Sequence, residues 1–534
     1  MKKPIDKYPV ALLILIGLGL YAFNLVDLQV SIMEARNFTV ARDMLTEGNW
    51  ILTTMNDLPR YEKPPFPAWF TTPFAYIFGL NNVWAYRIPT SIVSILGMVY
   101  FFKLIRIWSS TKIAFYAAVI LATSFYYIVI RFEAPSDVYT HVTMLMGLFY
   151  VFKNFPSINW QNVLVGSVFL GLSILSKGPV SLYALFLPFI LAYFLSFKVN
   201  FKNNILKIFV FLILGFIIGG SWYAFVRLAD PEVFTEIAKT ETKNWTSYNV
   251  KPFYYYWSFF IQSGIWTIPA LLSLAYPYFI NKLKNTKVYK FSFLWTIVAL
   301  VLLSVIPEKK PRYLVPVLIP LALNTALVLQ YLMAHKRDKL SQIFHLVHYC
   351  IIMLVGLGVL VAPFVVGIQL QDYLYIYIIM GVISLFIVSY TFINLKRRHF
   401  SKLIWSNILL ILMITLIGQS GVSLFKQNPN YNPINAEKLI NKDIPTFYFK
   451  KLEPEIFWEY GEVIPLLNQD QDYKNPIRVI VSHNFIEKFK SQYPEIIKQA
   501  EVKTFDRNYY RKGDRRRKRF IINVYEFKPL SKTQ

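Results

Sequence analysis

Long apolar runs, separated by short polar segments, set the first-order pattern of this chain. They lie near 9–26, 84–102, 113–130, 138–152, 162–175, 180–197, 208–226, 253–279, 291–306, 313–333, 343–368, 372–394 and 403–424. Runs of roughly 18 residues or more are long enough, as helices, to cross a hydrocarbon core about 30 Å thick. The stretch 66–80 is short and carries Pro67 and Pro73, which predicts a re-entrant or interfacial helix rather than a clean span. The length criterion then gives about thirteen crossings, in an all-α polytopic membrane protein. From Lys426 onward the period changes. Short β-like runs at Thr446–Phe449, Ile477–Val481 and Phe520–Phe527 alternate with helical patterns near Pro433–Asn441, Pro454–Leu467 and Asn484–Lys498. This predicts a membrane domain over 1–424, with 27–65 as its first extracytoplasmic loop, and a small soluble α/β domain over 425–534.

Composition agrees with that solvent. Hydrophobic residues make up 55% of the 534 and charged residues only 16%, against about 25% in soluble domains. The excess of Lys+Arg (56) over Asp+Glu (30), a net +26, would suggest nucleic acid in a soluble protein. Here it follows the positive-inside rule. With the amino terminus cytoplasmic, the inner loops carry Lys103, Arg106 and Lys112; Lys153; Lys198, Lys202 and Lys207; Lys282, Lys284, Lys287 and Lys290; Lys336, Arg337 and Lys339; and Lys396, Arg397, Arg398 and Lys402. Counting 66–80 as a full span would reverse every later loop and break the alternation. The carboxy-terminal domain then falls outside. Lys2, Lys3 and Lys7 precede an apolar run with no small-residue cleavage pattern after Val26, the signature of a retained signal anchor. The single cysteine, Cys350, excludes an intrachain disulfide. The run RKGDRRRKR at Arg511–Arg519 fits either contact with anionic headgroups or glycans, or a solvated loop.

Against this background the outer loops stand out. The 27–65 stretch holds Glu34, Arg36, Arg42, Asp43, Glu47, Asp57, Arg60, Glu62 and Lys63 between apolar spans. The loops 131–137, 176–179, 227–251 and 307–312 add Asp137, Lys177, Lys309, Lys310 and Arg312 on the side where cations are scarce. A long polar loop converging with short ones describes a polar cavity facing out of the cytoplasm. Glu34 and Arg36 enter an amphipathic pattern (Ala35, Phe38, Val40, Ala41, Met44, Leu45), predicting a helix on the membrane surface. Glu34 either favours that helix through its dipole or presents a carboxylate to the cavity. Asp137, after Pro135 and Ser136, is a helix cap or a functional acid. In Tyr61-Glu62-Lys63-Pro64-Pro65 the prolines hold Glu62 and Lys63 rigidly, for snorkelling or for anion binding. The clustered cations suit a phosphate at headgroup level. Nucleotide-binding glycine loops, Walker and HExxH motifs are absent, and the six histidines lack zinc-ligand spacing.

These residues resemble a known family. EARNFTVARDMLTEGNWILTTMNDLPRYEKPP, APSD at 134–137, LSKGPVSL at 175–182, KPFYYYW at 251–257 and PEKKPRYLVP at 307–316 occur collinearly. Together they are similar to the GT-C glycosyltransferases that use polyprenyl-phosphate sugars, above all bacterial aminoarabinose–lipid A transferases and dolichyl-phosphate-mannose–protein mannosyltransferases. The resemblance implies a GT-C fold and sugar transfer from a polyprenyl-phosphate donor to lipid A, a protein hydroxyl or another envelope glycan. It implies Glu34 and Asp137 as base or orienting acids. It also implies Arg36, Tyr61, Lys63, Lys177, Lys309, Lys310, Arg312 and Tyr313 as the lipid-phosphate site. Relatives carry an acid pair where this chain has Met33-Glu34. In the aminoarabinose transferases a histidine before PFYYY joins the EKP glutamate at a divalent metal. This chain has none there, which leaves Glu62 and Glu241 as the implied metal pair. A transporter or flippase of lipid-linked sugars is the alternative, but it predicts paired discontinuous helices and an internal repeat that the sequence lacks.

Overall fold

The computed structural model describes residues 4–133, 135–197, 204–366, 374–418, 428–435, 439, 444–468, 475–494 and 500–527. Ala134, Lys198, Lys202, Lys426, the boundary expected at 424, and parts of the patterns 433–441 and 484–498 lie outside them. The chain divides into two compact units. One comprises Met1–Leu25, Glu62–Pro67 and Arg87–Gly421; the other comprises Val26–Tyr61, Ala68–Tyr86 and Val422–Gln534.

The first unit is helical. Among the described residues, six helices of the whole chain are long and apolar enough to cross a membrane: Val83–Ile105, Ile205–Ala229, Thr286–Val305, Pro311–Ala334, Lys339–Val361 and Tyr377–Lys396. Thr111–Ala122 and Phe125–Glu133, bent by 51°, make a seventh if they are one span. This is fewer than the expected thirteen, for identifiable reasons. Helices α1 (Pro9–Tyr21), Leu182–Ser196 and Phe400–Leu416 are apolar but short. Two further 18-residue helices dilute their apolar content with buried polar side chains, among them Asp137, Thr140, His141, Ser167 and Ser173. The run 253–279 is not one helix. It breaks into short pieces at Phe253–Tyr256, Phe259–Trp266, Thr267–Ser273 and Tyr276–Phe279. Gly264 sets one break: its φ is +65°, and a Cβ there would lie 2.8 Å from Phe125 Cβ. Aromatic content alone made that run look like a span.

Tight packing in this unit uses small residues. A Cβ on Gly219 would meet Ile174 Cβ at 2.5 Å, and Gly171 and Gly215 are equally closed by Ile218 and Leu170. Close backbone approach of this kind is how apolar helices gain packing energy where lipid offers no hydrophobic drive. Arg131, expected in an outer loop, is instead buried, donating to Tyr21 O (2.5 Å) and Ser91 Oγ (3.3 Å). The helices on either side, to Glu133 and from Pro135, leave no room for the loop.

The second unit joins parts distant in sequence. Helix α2 (Ile32–Thr46) starts at a capping box: Glu34 N donates to Ser31 Oγ, and Ser31 N donates to Glu34 Oε2. A two-stranded hairpin, β1 (Thr54–Met55) and β2 (Leu58–Pro59), turns through Asn56 and Asp57. Both have φ near +60° (57° and 59°), the backbone that a two-residue hairpin turn requires. Helix α3 (Phe66–Phe78), 13 residues with Pro73 inside, is about 20 Å long and too short to span. The carboxy-terminal segment forms a sheet of order β3-β4-β6-β5, from Thr446–Tyr448, Ile477–Ser482, Ile521–Phe527 and Glu501–Asp506. The β3–β4 pair is parallel and the others are antiparallel. Residues alternate between two cores, Ile480, Ile522 and Val524 on one face, Val479, Val481 and Tyr525 on the other. The strand Glu501–Asp506 escaped the sequence reading because its first half is exposed.

Helix α2 does not lie on a surface. Phe38 packs on Tyr86 and Trp458, with centroids 5.0 and 5.2 Å away. Trp458 belongs to a short helix over Pro454–Tyr460. Arg42, only 1% exposed, donates to the Phe457 carbonyl (3.2 and 3.3 Å) at the carboxyl end of that helix. A guanidinium there satisfies orphan carbonyls and complements the helix dipole. Asn56 exchanges side-chain bonds with Ile464, accepting from its N at 2.8 Å and donating to its O at 2.7 Å. The first polar loop and the carboxy-terminal helix Pro454–Tyr460 therefore share one core through Trp458.

Asp43 gives this core a pH dependence. It is fully buried beside Arg42 (3.8 Å) and accepts from the amides of Asn56 and Asp57. Burial raises its pKa to about 6, against the opposing pull of Arg42 and those two amides. An acid with a raised folded pKa stabilises fully below its unfolded value, about 3.9, and loses that contribution as pH rises through 6. Thermal unfolding followed between pH 4 and 7 is expected to show stability falling across that window, and Asp43→Asn is expected to flatten the fall.

Candidate functional site

The described geometry separates the expected site residues between the units. Glu34, Arg36 and Tyr61 belong to the second; Lys63, Asp137, Lys177, Glu241 and Lys309 to Tyr313 belong to the first.

In the first unit the focus is Tyr313, in the first turn of the helix Pro311–Ala334. Its ring lies under three cations, with Lys177 Nζ 4.9 Å, Lys310 Nζ 5.7 Å and Arg312 Cζ 5.7 Å from the centroid. Two loops position these residues. Val250 and Glu308 form an antiparallel bridge, flanked by Lys251 N to Pro307 O (3.2 Å) and Lys309 N to Asn249 O (3.1 Å). Tyr256 Oη accepts from Lys310 N (2.9 Å) and donates to Lys310 O (3.0 Å), which fixes the backbone there. Pro307 disfavours a helix through the loop, and Pro311 opens the helix Pro311–Ala334 as its first residue.

Three lysines each hold a carboxylate. Lys177 pairs with Asp137, Lys310 with Glu308, and Lys63 with Glu241 at 3.4 Å. Asp137 lies in the first turn of a helix over Pro135–Phe152, and Lys177 ends a helix over Trp160–Lys177. Each charge therefore sits where its own helix dipole favours it, and the two meet nearly dry, 2% and 9% exposed. Burial draws the Lys177 ammonium down to about 8, and Arg312 and Lys63 push the same way, while Asp137 opposes them. Asp137 thus lies in the first turn of its helix and in a buried ion pair at once.

Other expected ligands are used differently. Lys309 is buried, and its ammonium donates to the carbonyls of Lys251 (3.1 Å) and Ile306 (2.5 Å), so it braces the loops. Arg312 Nε is buried without a hydrogen-bond partner among the described residues. In the second unit Glu34 is fully buried in its capping box, and Arg36 reaches only Met33 Sδ, at 4.0 Å, with no carboxylate among the described residues. Tyr61 is buried.

The implied metal pair does not fit a cation. Glu241 already carries the Lys63 ammonium, and among the described residues no group of three or more His, Cys, Asp or Glu forms a possible metal cluster. Partnerships such as Lys63–Glu241, 178 residues apart, escaped the sequence reading. Only the proline-locked loops hinted at them.

Known proteins match part of this chain. A profile of the family described as dolichyl-phosphate-mannose-protein mannosyltransferase matches residues 62–222. An uncharacterised Aquifex aeolicus protein is 25% identical over 310 residues, 57% of this chain and 60% of its own. An undecaprenyl phosphate-α-4-amino-4-deoxy-L-arabinose arabinosyl transferase from Wigglesworthia glossinidia brevipalpis is 22% identical over 325 residues, 58% of this chain and 56% of its own. The chain thus spans less than two thirds of the length of these curated relatives. The crystal structure of ArnT from Cupriavidus metallidurans bound to undecaprenyl phosphate superposes with a TM-score of 0.68 at 16% identity, over 97% of both chains. That likeness shows a shared fold over 97% of this chain.

Proposed function

We propose that the chain is an inverting GT-C glycosyltransferase of a bacterial cytoplasmic membrane. It moves a sugar from a polyprenyl-phosphate donor to lipid A, a protein hydroxyl or another envelope glycan on the outer face. The observation that carries this reading is the ring of Lys177, Lys310 and Arg312 around Tyr313, with one guanidinium donor unpaired. Such a cluster suits a phosphate monoester tail held as a leaving group. The names of the arabinosyl transferase relatives support the same donor chemistry.

In the reaction a carboxylate, Glu34 or Asp137, takes the proton from the acceptor hydroxyl. The acceptor oxygen attacks the anomeric carbon as the bond from that carbon to the phosphate oxygen breaks. Polyprenyl phosphate leaves with the electron pair, and Lys63, Lys177, Lys310, Arg312 and Tyr313 stabilise its growing charge. Groups already aimed at that charge supply the largest share of the rate. Lys309 holds the loops that carry the phosphate site. No step is routed through a metal.

The finer architecture is part of the same proposal. The loop charges support a cytoplasmic amino terminus and an outer carboxy terminus, with a membrane domain over 1–424 and a small α/β domain over 425–534.

Reconstituted protein supplied with an undecaprenyl-phosphate sugar and candidate acceptors tests the reading. Lys63→Ala is expected to lower transfer by about 10²–10³-fold with expression unchanged, as loss of one charge-stabilising donor does elsewhere. Mass spectrometry of lipid A and envelope proteins, with and without the protein, identifies the acceptor. Near-normal transfer by the variant removes Lys63 from the site, and no sugar-bearing product from the native chain rejects the assignment.

A further inference from the structure

The basic run near the carboxy terminus is not used by the transfer chemistry, yet the fold holds it in place with unusual care. It lies in the loop joining the strands Glu501–Asp506 and Ile521–Phe527. Arg511, Lys512, Arg515, Arg517 and Lys518 are exposed and have no carboxylate partner among the described residues. Seven cations within nine residues repel one another, and a sequence of this kind ordinarily stays solvated and disordered.

Here the loop is pinned at its base. Asp506 Oδ2 accepts from Arg516 Nη1 (3.1 Å) and Asn428 Nδ2 (2.9 Å), and Glu453 pairs with Arg519 at 3.7 Å. Asn508 clamps the Arg517 backbone in both directions, accepting from its N at 2.7 Å and donating to its O at 3.2 Å. The guanidinium carbons of Arg507, Arg517 and Arg519 lie 5.3, 5.9 and 4.8 Å from the Phe520 ring. Arg507 then bonds the base of the loop to Val30 O at 2.7 Å.

Two acids neutralise two of the seven cations, and both bind at the root. The other five are displayed on a rigid loop with their mutual repulsion uncompensated, and burial together with Arg511 and Arg519 lowers the pKa of Arg517. An array ordered at that electrostatic cost is relieved by a surface of closely spaced anions, and the chain's apolar helices put it in the company of one.

We propose that the loop Arg511–Arg519 is an anionic-lipid docking surface, whose exposed cations bind the phosphates of acidic membrane headgroups. This does not depend on the transferase reading, since it uses none of the residues proposed for transfer.

Limited trypsin digestion of the full chain in nanodiscs tests it. Cleavage within 511–518 is measured against cleavage at exposed Lys488, in discs of phosphatidylcholine alone and in discs with about one third phosphatidylglycerol. The ratio is expected to fall about tenfold in the acidic discs and to recover in about 0.5 M NaCl, where screening acts within a few ångströms. In Lys512→Gln/Arg515→Gln/Lys518→Gln, cleavage at Arg511 and Arg517 is expected to be the same in both discs. Equal ratios for the native chain overturn the proposal. So does protection by inorganic phosphate or a phosphorylated glycan in neutral discs without any effect of acidic lipid, which assigns the loop to a soluble anion instead.

Discussion

Lys177→Ala is expected to abolish transfer and to lower the stability of the helical unit by about 3–5 kcal/mol, the usual cost of leaving one partner of a buried ion pair alone. The pair it breaks is almost dry, with Asp137 2% exposed. Asp137 would then keep its charge without a counterion or take up a proton, and either outcome is costly. The ammonium also stands over Tyr313, so the same substitution removes a cation from the proposed phosphate site. The two effects separate in the double variant Asp137→Asn/Lys177→Met. It replaces the ion pair with neutral groups of similar volume and is expected to recover most of the stability, because a buried pair contributes little beyond its own desolvation. It is not expected to recover transfer. Thermal unfolding in detergent and turnover of a lipid-linked sugar read the two quantities. Restored transfer in the double variant removes Lys177 from the chemistry and leaves it a helix-end partner for Asp137.

Glu34→Gln is expected to reduce transfer by about 10²–10⁴-fold, the range that a positioned general base supplies. Glutamine serves the capping box as glutamate does, accepting from Ser31 N, so helix α2 keeps its start and the unfolding temperature stays within about 1 °C of native. A flat stability with lost turnover identifies a base. Equal turnover in both forms passes that role to Asp137. A pH–rate profile adds an independent check, because removal of a base eliminates the acidic limb that its titration creates.

The pattern of apolar runs and outer cations was readable because both follow from one-dimensional rules, length against bilayer thickness and lysine against sidedness. Three strands were likewise legible at Thr446, Ile477 and Phe520, where β-branched and aromatic residues cluster. What remained hidden depends on partners distant in sequence. Arg42 and Asp43 look like the polar face of a surface helix until Trp458 and Phe457 arrive from more than four hundred residues away to bury them. Lys309 looks like Lys310, yet one braces carbonyls and the other meets Glu308. The run 253–279 counted as a span because composition does not register the positive φ at Gly264.

The discontinuity of the second unit has a consequence for how the protein is made. Its early pieces end at Tyr86 and its last piece begins at Val422, so the 335 residues 87–421 are synthesised between them. At bacterial elongation rates of about 5–20 residues per second, that is a delay of roughly 20–70 s. Throughout it Phe38 and Tyr86 lack the indole that will close over them, and Arg42 lacks the carbonyls it will cap. The first polar loop therefore matures last, after every apolar helix has left the ribosome. A nonsense codon near the end of the reading frame would spare the helices and still leave that first loop unfinished.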